Sequence, residues 1–181
     1  MVSGGLDSSL LLYLITKENK DKGFPVEIVT LTVHRPDNAK DHAKRIISLV
    51  EQLNDIKLQN IEVGDPNTSP DLQVISGIKD SIMNKDIPLV FIATTAIPEH
   101  LKDARDVPQR DTKEYLRLSQ PWGHETKDSI VEYVVCNKLE VLIKHSHSCT
   151  GLQLGQCGRC YNCLERKWAL DCNSILDSTE Y

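Results

Sequence analysis

Apolar residues first gather as Leu10-Leu11-Leu12-Tyr13-Leu14-Ile15, directly behind the Gly-rich stretch Ser3-Gly4-Gly5-Leu6-Asp7-Ser8-Ser9. The pattern predicts the tail of a strand at Met1-Val2, a turn, and a helix opening between Asp7 and Ser9. Asp and Ser suit that position because their side-chain oxygens accept from free backbone N–H groups. A β-branched, mostly apolar run over Val26–Val33 predicts a buried strand. Between Asp41 and Leu53, the positions Ala43, Ile46, Ile47, Val50 and Leu53 fall on one helical stripe. A third strand is expected over Leu58–Val63, and Gly64–Pro70 reads as a loop by its turn chemistry. The spacing predicts a helix over Asp71–Asn84, with Leu72, Ile75, Ile78 and Ile82 on its apolar face. Pro88–Thr94 reads as a strand, and the polar stretch His100–Trp122 as a long surface loop, with Asp103–Glu114 as a mixed-charge run that could form a lid. Lys127–Cys136 reads as a helix, Glu140–Lys144 as a short strand and Asn162–Ile175 as a helix.

Strands alternating with helices predict an α/β fold with a mainly parallel sheet flanked by helices and right-handed crossovers. Ligands in such sheets bind beyond the carboxyl ends of strands. The Gly-rich turn lies at such an end. A length of 181 residues fits one domain, 1–181. The formal net charge of −5 speaks against a protein that grips nucleic acid through phosphates. No apolar run reaches the roughly 18 residues that cross a bilayer, and no secretory signal is read at the start. With six cysteines this predicts a reducing cytoplasm, where clustered thiols bind metal more often than they pair.

Two clusters carry chemistry. In the stretch Ser3 to Ser9, glycines without Cβ atoms let backbone N–H groups approach an anion, and the following helix aims its positive end at the same point. Ser3, Ser8 and Ser9 add hydroxyls, while Asp7 is compatible with phosphate if it caps the helix or helps hold a cation. The stretch lacks the lysine of a Walker A loop and the spacing of G-x-G-x-x-G. Cys149, Cys157, Cys160 and Cys163 have the spacing C-x7-C-x2-C-x2-C, which gathers four soft sulfurs and suits tetrahedral Zn2+. An iron–sulfur cluster is the competing reading. Cys136 and Cys172, on predicted helices, read as buried and unligated, and His145 and His147 as neighbours of the metal site or surface residues. The zinc-binding subregion covers 145–176.

The string S-G-G-x-D-S resembles the signature of the PP-loop ATP pyrophosphatases. Combined with Ser148-Cys149, Cys157-Gly158-Arg159-Cys160-Tyr161-Asn162-Cys163-Leu164-Glu165-Arg166 and Thr126-Lys127 before Ile130-Val131, it is similar to the 7-cyano-7-deazaguanine synthase family of queuosine biosynthesis. The resemblance implies a PP-loop fold like that of the adenine nucleotide alpha hydrolases. It implies ATP bound by Ser3, Gly4, Gly5, Leu6, Asp7, Ser8 and Ser9, with Mg2+ as accompanying cation and structural zinc. The implied reaction converts 7-carboxy-7-deazaguanine and ammonia to the nitrile through an adenylate. Asp7 and Lys127 are the candidate catalytic residues, and a cytoplasmic homodimer is implied. Lys127 and Arg166 can reach a phosphate or carboxylate, and Trp122, Tyr161 and Trp168 can stack on a deazapurine. Two alternatives stand beside this reading. One is a PP-loop tRNA-modifying enzyme of the thiolation type, against which the net charge of −5 argues. The other is a zinc-stabilised ATP-binding module without activity, in keeping with the lack of the family's Pro-Gly-Arg-Asn stretch between Gly64 and Asn84.

Overall fold

A computed structural model describes residues 1–23, 26–33, 37–63, 70–108, 110, 117–151 and 155–177. Residues 64–69 of the expected loop Gly64–Pro70, His34, and residues 109 and 111–116 of the polar stretch lie outside the described residues, and Pro70 itself opens a helix. The fold is mixed α/β. Helix α1 spans Leu6–Asp21, strand β1 Val29–Val33, α2 Ala39–Asn54, β2 Gln59–Val63, α3 Pro70–Met83 and β3 Val90–Phe91. A 3-10 turn over Glu99–Leu101 precedes β4, Leu118–Ser119, and then come α4 (Lys127–Cys136), α5 (Glu140–His145) and α6 (Tyr161–Cys172).

The strands form two parallel pairs. In the first, β1 runs beside β2 with Leu31 opposite Ile61; in the second, β3 runs beside β4 with Val90 opposite Leu118. Met1-Val2, expected to end a strand, carries no strand assignment but lies between the two pairs. The Val2 N–H donates to Leu31 O at 2.8 Å, and the Met1 amino group donates to Phe91 O. Successive backbone groups of an extended chain point to opposite sides, so this dipeptide bridges the two separate pairs with one hydrogen bond to each. Below it a cavity of about 560 Å³ is lined by Leu11, Ile15, Val29, Ile87 and Leu89.

Most of the core lies among helices on one side of these strands. Leu6 and Leu10 of α1 meet Ala43, Ile46 and Val50 of α2, Ile130, Val131 and Val134 of α4, Leu142 of α5 and Ala169 and Leu170 of α6. Leu31, Val33 and Val63 make a smaller cluster with Val74 of α3 and Ile87. Strand β1 is thus buried along nearly its whole length, as parallel strands covered by helices are.

Three local expectations are corrected. Glu140–His145 is a helix, because the run of apolar residues there sits one turn behind α4 and its Leu142 and Ile143 complete the helical core. The apolar face expected for α3 is turned partly outward: Leu72 and Ile75 are exposed, and Gly77 and Ser81 face inward. Val63 presses so close that a Cβ on Gly77 would lie 2.7 Å from its Cγ2, so only the small-residue face fits. The strand expected over Pro88–Thr94 shrinks to Val90–Phe91, because its partner β4 is itself two residues long.

Candidate functional site

The Gly-rich loop is held from three directions. Gly4 takes φ +82°, and a Cβ there would meet His42 Cβ at 2.5 Å, so α2 presses directly on the loop. Gly4 O accepts from the His147 N–H at 2.9 Å. Gly5, not Asp7 or Ser8, is the N-cap of α1. The hydroxyls of Ser8 and Ser9 both donate to Gly5 O, at 3.0 and 2.7 Å, so they close the turn. The first helical bond is Ser9 N–H to Gly5 O, which leaves the N–H groups of Leu6, Asp7 and Ser8 without an intrahelical acceptor. Leu6 buries its side chain in the core. Ser3 is exposed at the rim, its hydroxyl 3.2 Å from that of Ser8.

These groups open into a cavity of about 120 Å³ lined also by Asp37, His42, Lys127, His147, Ser148, Cys149 and Asn162. That volume takes a single phosphate-sized group. The rings of His42 and His147 stack in parallel, centroids 3.9 Å apart. Burial, with a smaller push from His42, lowers His147 to a pKa of about 4; burial and then Arg45 lower His42. The stack is therefore uncharged at pH 7. Two buried oxygens of the cavity lining, Asp7 Oδ1 and Ser148 Oγ, have no hydrogen-bond partner among the described residues.

Lys127 is the first residue of α4, and it is buried rather than solvated as a lysine at a helix start ordinarily is. Its Nζ lies 3.0 Å from Asp7 Oδ2 and 2.9 Å from Glu165 Oε2. Arg110 clamps Glu165 with two bonds of 2.8 and 2.9 Å, and the Tyr161 hydroxyl donates to Oε1 at 3.0 Å. Burial works against the charge of Glu165, yet Lys127 and Arg110 outweigh it and bring its pKa down to about 2. Burial likewise opposes the charge of Lys127, but Asp7 and Glu165 hold its pKa above the ordinary value. The charges alternate in sign, Asp7, Lys127, Glu165, Arg110, and so cancel. The sequence pattern marked Lys127 and Asp7 but missed Arg110 and Glu165, which lie 55 positions apart in polar stretches with no periodic signal.

The four cysteines meet. Their sulfurs all lie within 4.8 Å of one another, and those of Cys157 and Cys163 are 3.9 Å apart. Four sulfurs at about 2.3 Å from a tetrahedral ion stand roughly 3.8 Å from each other, so the donor set can hold a metal ion such as zinc. Cys160 is the N-cap of α6 and Cys163 lies in its first turn. Backbone N–H groups of Gly151 and Cys157 point at Cys149 Sγ, and that of Cys160 points at Cys157 Sγ, as expected around thiolates. Burial would raise the thiol of Cys157, but the backbone N–H groups of Arg159 and Cys160 prevail and lower it to about 6.

Several neighbours differ from expectation. Cys136 and Cys172 are exposed, because the faces of α4 and α6 that carry them look away from the helical core. Arg166 does not line the cavity: fully buried, it donates to Ser146 Oγ, Ile143 O and Asp177, tying Asp177 to α5. Tyr161 is buried behind the loop, and Trp168 tilts against His100. No helix among the described residues is long and apolar enough to cross a membrane. Compared with known protein families, curated proteins and solved structures, the chain matches none.

Proposed function

We propose that the chain is an ATP-dependent ligase of the PP-loop type, converting a deazapurine carboxylate, 7-carboxy-7-deazaguanine, and ammonia to the nitrile. The observation that supports this reading is the meeting of the two sequence motifs at one cavity: Ser3, Gly5 and Asp7 of the loop and Cys149 of the cysteine cluster line the same space. A phosphate group fits the cavity and finds donors in the N–H groups of Leu6, Asp7 and Ser8 at the positive end of α1. The remainder of ATP lies outside the cavity. Asp7 Oδ1, buried without a donor, is an acceptor for the Mg2+ that accompanies the nucleotide.

The chemistry needs a carboxylate oxygen turned into a leaving group. Attack of that oxygen on the α-phosphate releases pyrophosphate; ammonia then displaces AMP to give the amide. A second ATP takes up the amide oxygen as AMP, and loss of two protons from nitrogen leaves the nitrile. Fixed N–H donors stabilise the charge that grows on the phosphate in each round. Lys127, charged and held in place, adds a cation behind Asp7. The metal bound by four thiolates keeps a closed shell and serves the architecture of α6. A cytoplasmic homodimer belongs to the same proposal, and light scattering tests the dimer.

The test is incubation with 7-carboxy-7-deazaguanine, ammonium and ATP, followed by mass spectrometry. The nitrile together with AMP and pyrophosphate is the expected result. Absence of AMP with every substrate present sinks the reading. Bound iron with acid-labile sulfide would favour the tRNA-modifying alternative instead.

A further inference from the structure

The row of buried charges behind the loop begins on the helix that carries the metal ligands. Glu165 stands two residues after Cys163 and is fully buried. It accepts two bonds from Arg110, one from Tyr161 and one from Lys127, which occupies about all the acceptor capacity of a carboxylate. Lys127, in turn, is shared between Glu165 at 2.9 Å and Asp7 at 3.0 Å. Its bond to Asp7 engages Oδ2 alone, and Oδ1 remains without a partner at the cavity.

We propose that Glu165 is a positioning residue that draws Lys127 away from full pairing with Asp7, so that Asp7 keeps one charged oxygen for a divalent cation at the loop. The inference rests on the nucleotide reading and concerns the cation side of that site. Its physical content is a division of one positive charge between two carboxylates. Were Glu165 uncharged, Lys127 would pair with Asp7 alone and the carboxylate would lose most of its attraction for a cation. The summed charge around the cavity would also become more positive. Both effects weaken divalent binding, and neither weakens the binding of a free polyanion.

The test compares wild type with the near-isosteric Glu165→Gln, both zinc-loaded. Mn2+ binding is read by electron paramagnetic resonance, and ATP binding by calorimetry with and without Mg2+. Neutralising a carboxylate within about 10 Å of a divalent cation corresponds to a roughly ten- to hundred-fold loss of Mn2+ affinity in the variant. ATP without divalent cation should bind as before or more tightly. Glu165→Gln that weakens ATP equally with and without Mg2+, or leaves Mn2+ affinity unchanged, overturns the proposal. A double variant supplies an independent check: on a Lys127→Met background Glu165→Gln should lower Mn2+ affinity by several-fold less than in the wild-type background, whereas an equal loss in both backgrounds counts against action through Lys127. Wild type that binds Mn2+ at Asp7 but no ATP sinks the ligase reading alone; wild type that binds no Mn2+ sinks this one.

Discussion

Gly4 and Gly5 stand side by side in the loop, yet the structure assigns them different tolerances. Gly4 has φ +82°, and an added Cβ would lie 2.5 Å from His42 Cβ, 2.7 Å from His42 C and 2.8 Å from Ala43 N. The last two are backbone atoms of α2 and cannot rotate aside. A left-handed backbone costs an L residue roughly 1–2 kcal/mol. Overpacking a tight contact adds roughly 1–3 kcal/mol. Gly4→Ala should therefore cost about 2–5 kcal/mol, a large part of the roughly 5–15 kcal/mol that holds a domain together. At Gly5 the added Cβ meets only Ser3 Oγ at 3.5 Å and His147 O at 3.7 Å, ordinary contacts, and φ is −76°. Gly5→Ala should cost at most about 1 kcal/mol, the loss of a glycine N-cap. Urea unfolding of both variants, zinc-loaded, measures the difference. Equal midpoints for the two, or a Gly4→Ala protein as stable as wild type, would refute the reasoning. Gly5→Val, by contrast, should fold and yet weaken ATP in calorimetry, since its branches stand at the cavity wall.

Replacing Cys149, Cys157, Cys160 or Cys163 by Ser should abolish stoichiometric zinc and disorder the start of α6, because thiolate binding of zinc contributes on the order of 10 kcal/mol coupled to folding; Cys172→Ser, at an exposed position, should leave elemental analysis and stability unchanged. Lys127→Met leaves the Glu165 and Asp7 carboxylates without their shared cation and should destabilise by about 3–5 kcal/mol in denaturant unfolding. Because the pKa of Glu165 falls from 4.5 to about 2 on folding, its charge stabilises the native state above about pH 4.5, and that contribution is lost as pH falls toward 2. The stability gap between wild type and Glu165→Gln should therefore narrow by up to about 3 kcal/mol over that window; a gap independent of pH would contradict the ion-pair assignment.

What the sequence made legible was what is local. The loop and α1 follow from consecutive residues, α2 from five apolar positions on one stripe, and the metal site from spacing that needs only a tight turn to bring thiols together. What stayed hidden depends on partners distant along the chain. Arg110 and Glu165 are two charges among many until the fold brings them to 2.8 Å. Helix α3 turns two of its expected core residues to solvent because Val63, seven or more positions earlier, admits only the face of Gly77. The Val-Leu-Ile of α5 reads as a strand in isolation because β-branched runs of that length do not distinguish the two states. Tyr161 takes the buried place that is the default for an aromatic, and its hydroxyl is committed to Glu165, a partner that spacing alone does not reveal.

The join between the two strand pairs gives the loop a mechanical role. Among the described residues Met1-Val2 makes one backbone hydrogen bond to each pair, and the next residues in the chain are those of the loop. Each such bond contributes only about 1 kcal/mol net, so this is a weak line between the pairs. Sliding of one ladder against the other would displace Ser3 and Gly4, which follow Val2 directly. Gly4 has no slack toward His42, so such a slip is resisted by α2 as well as by the sheet. An anion gripped by the loop would thus act as a rivet across the seam, and the filled protein should open less often along that line than the empty one.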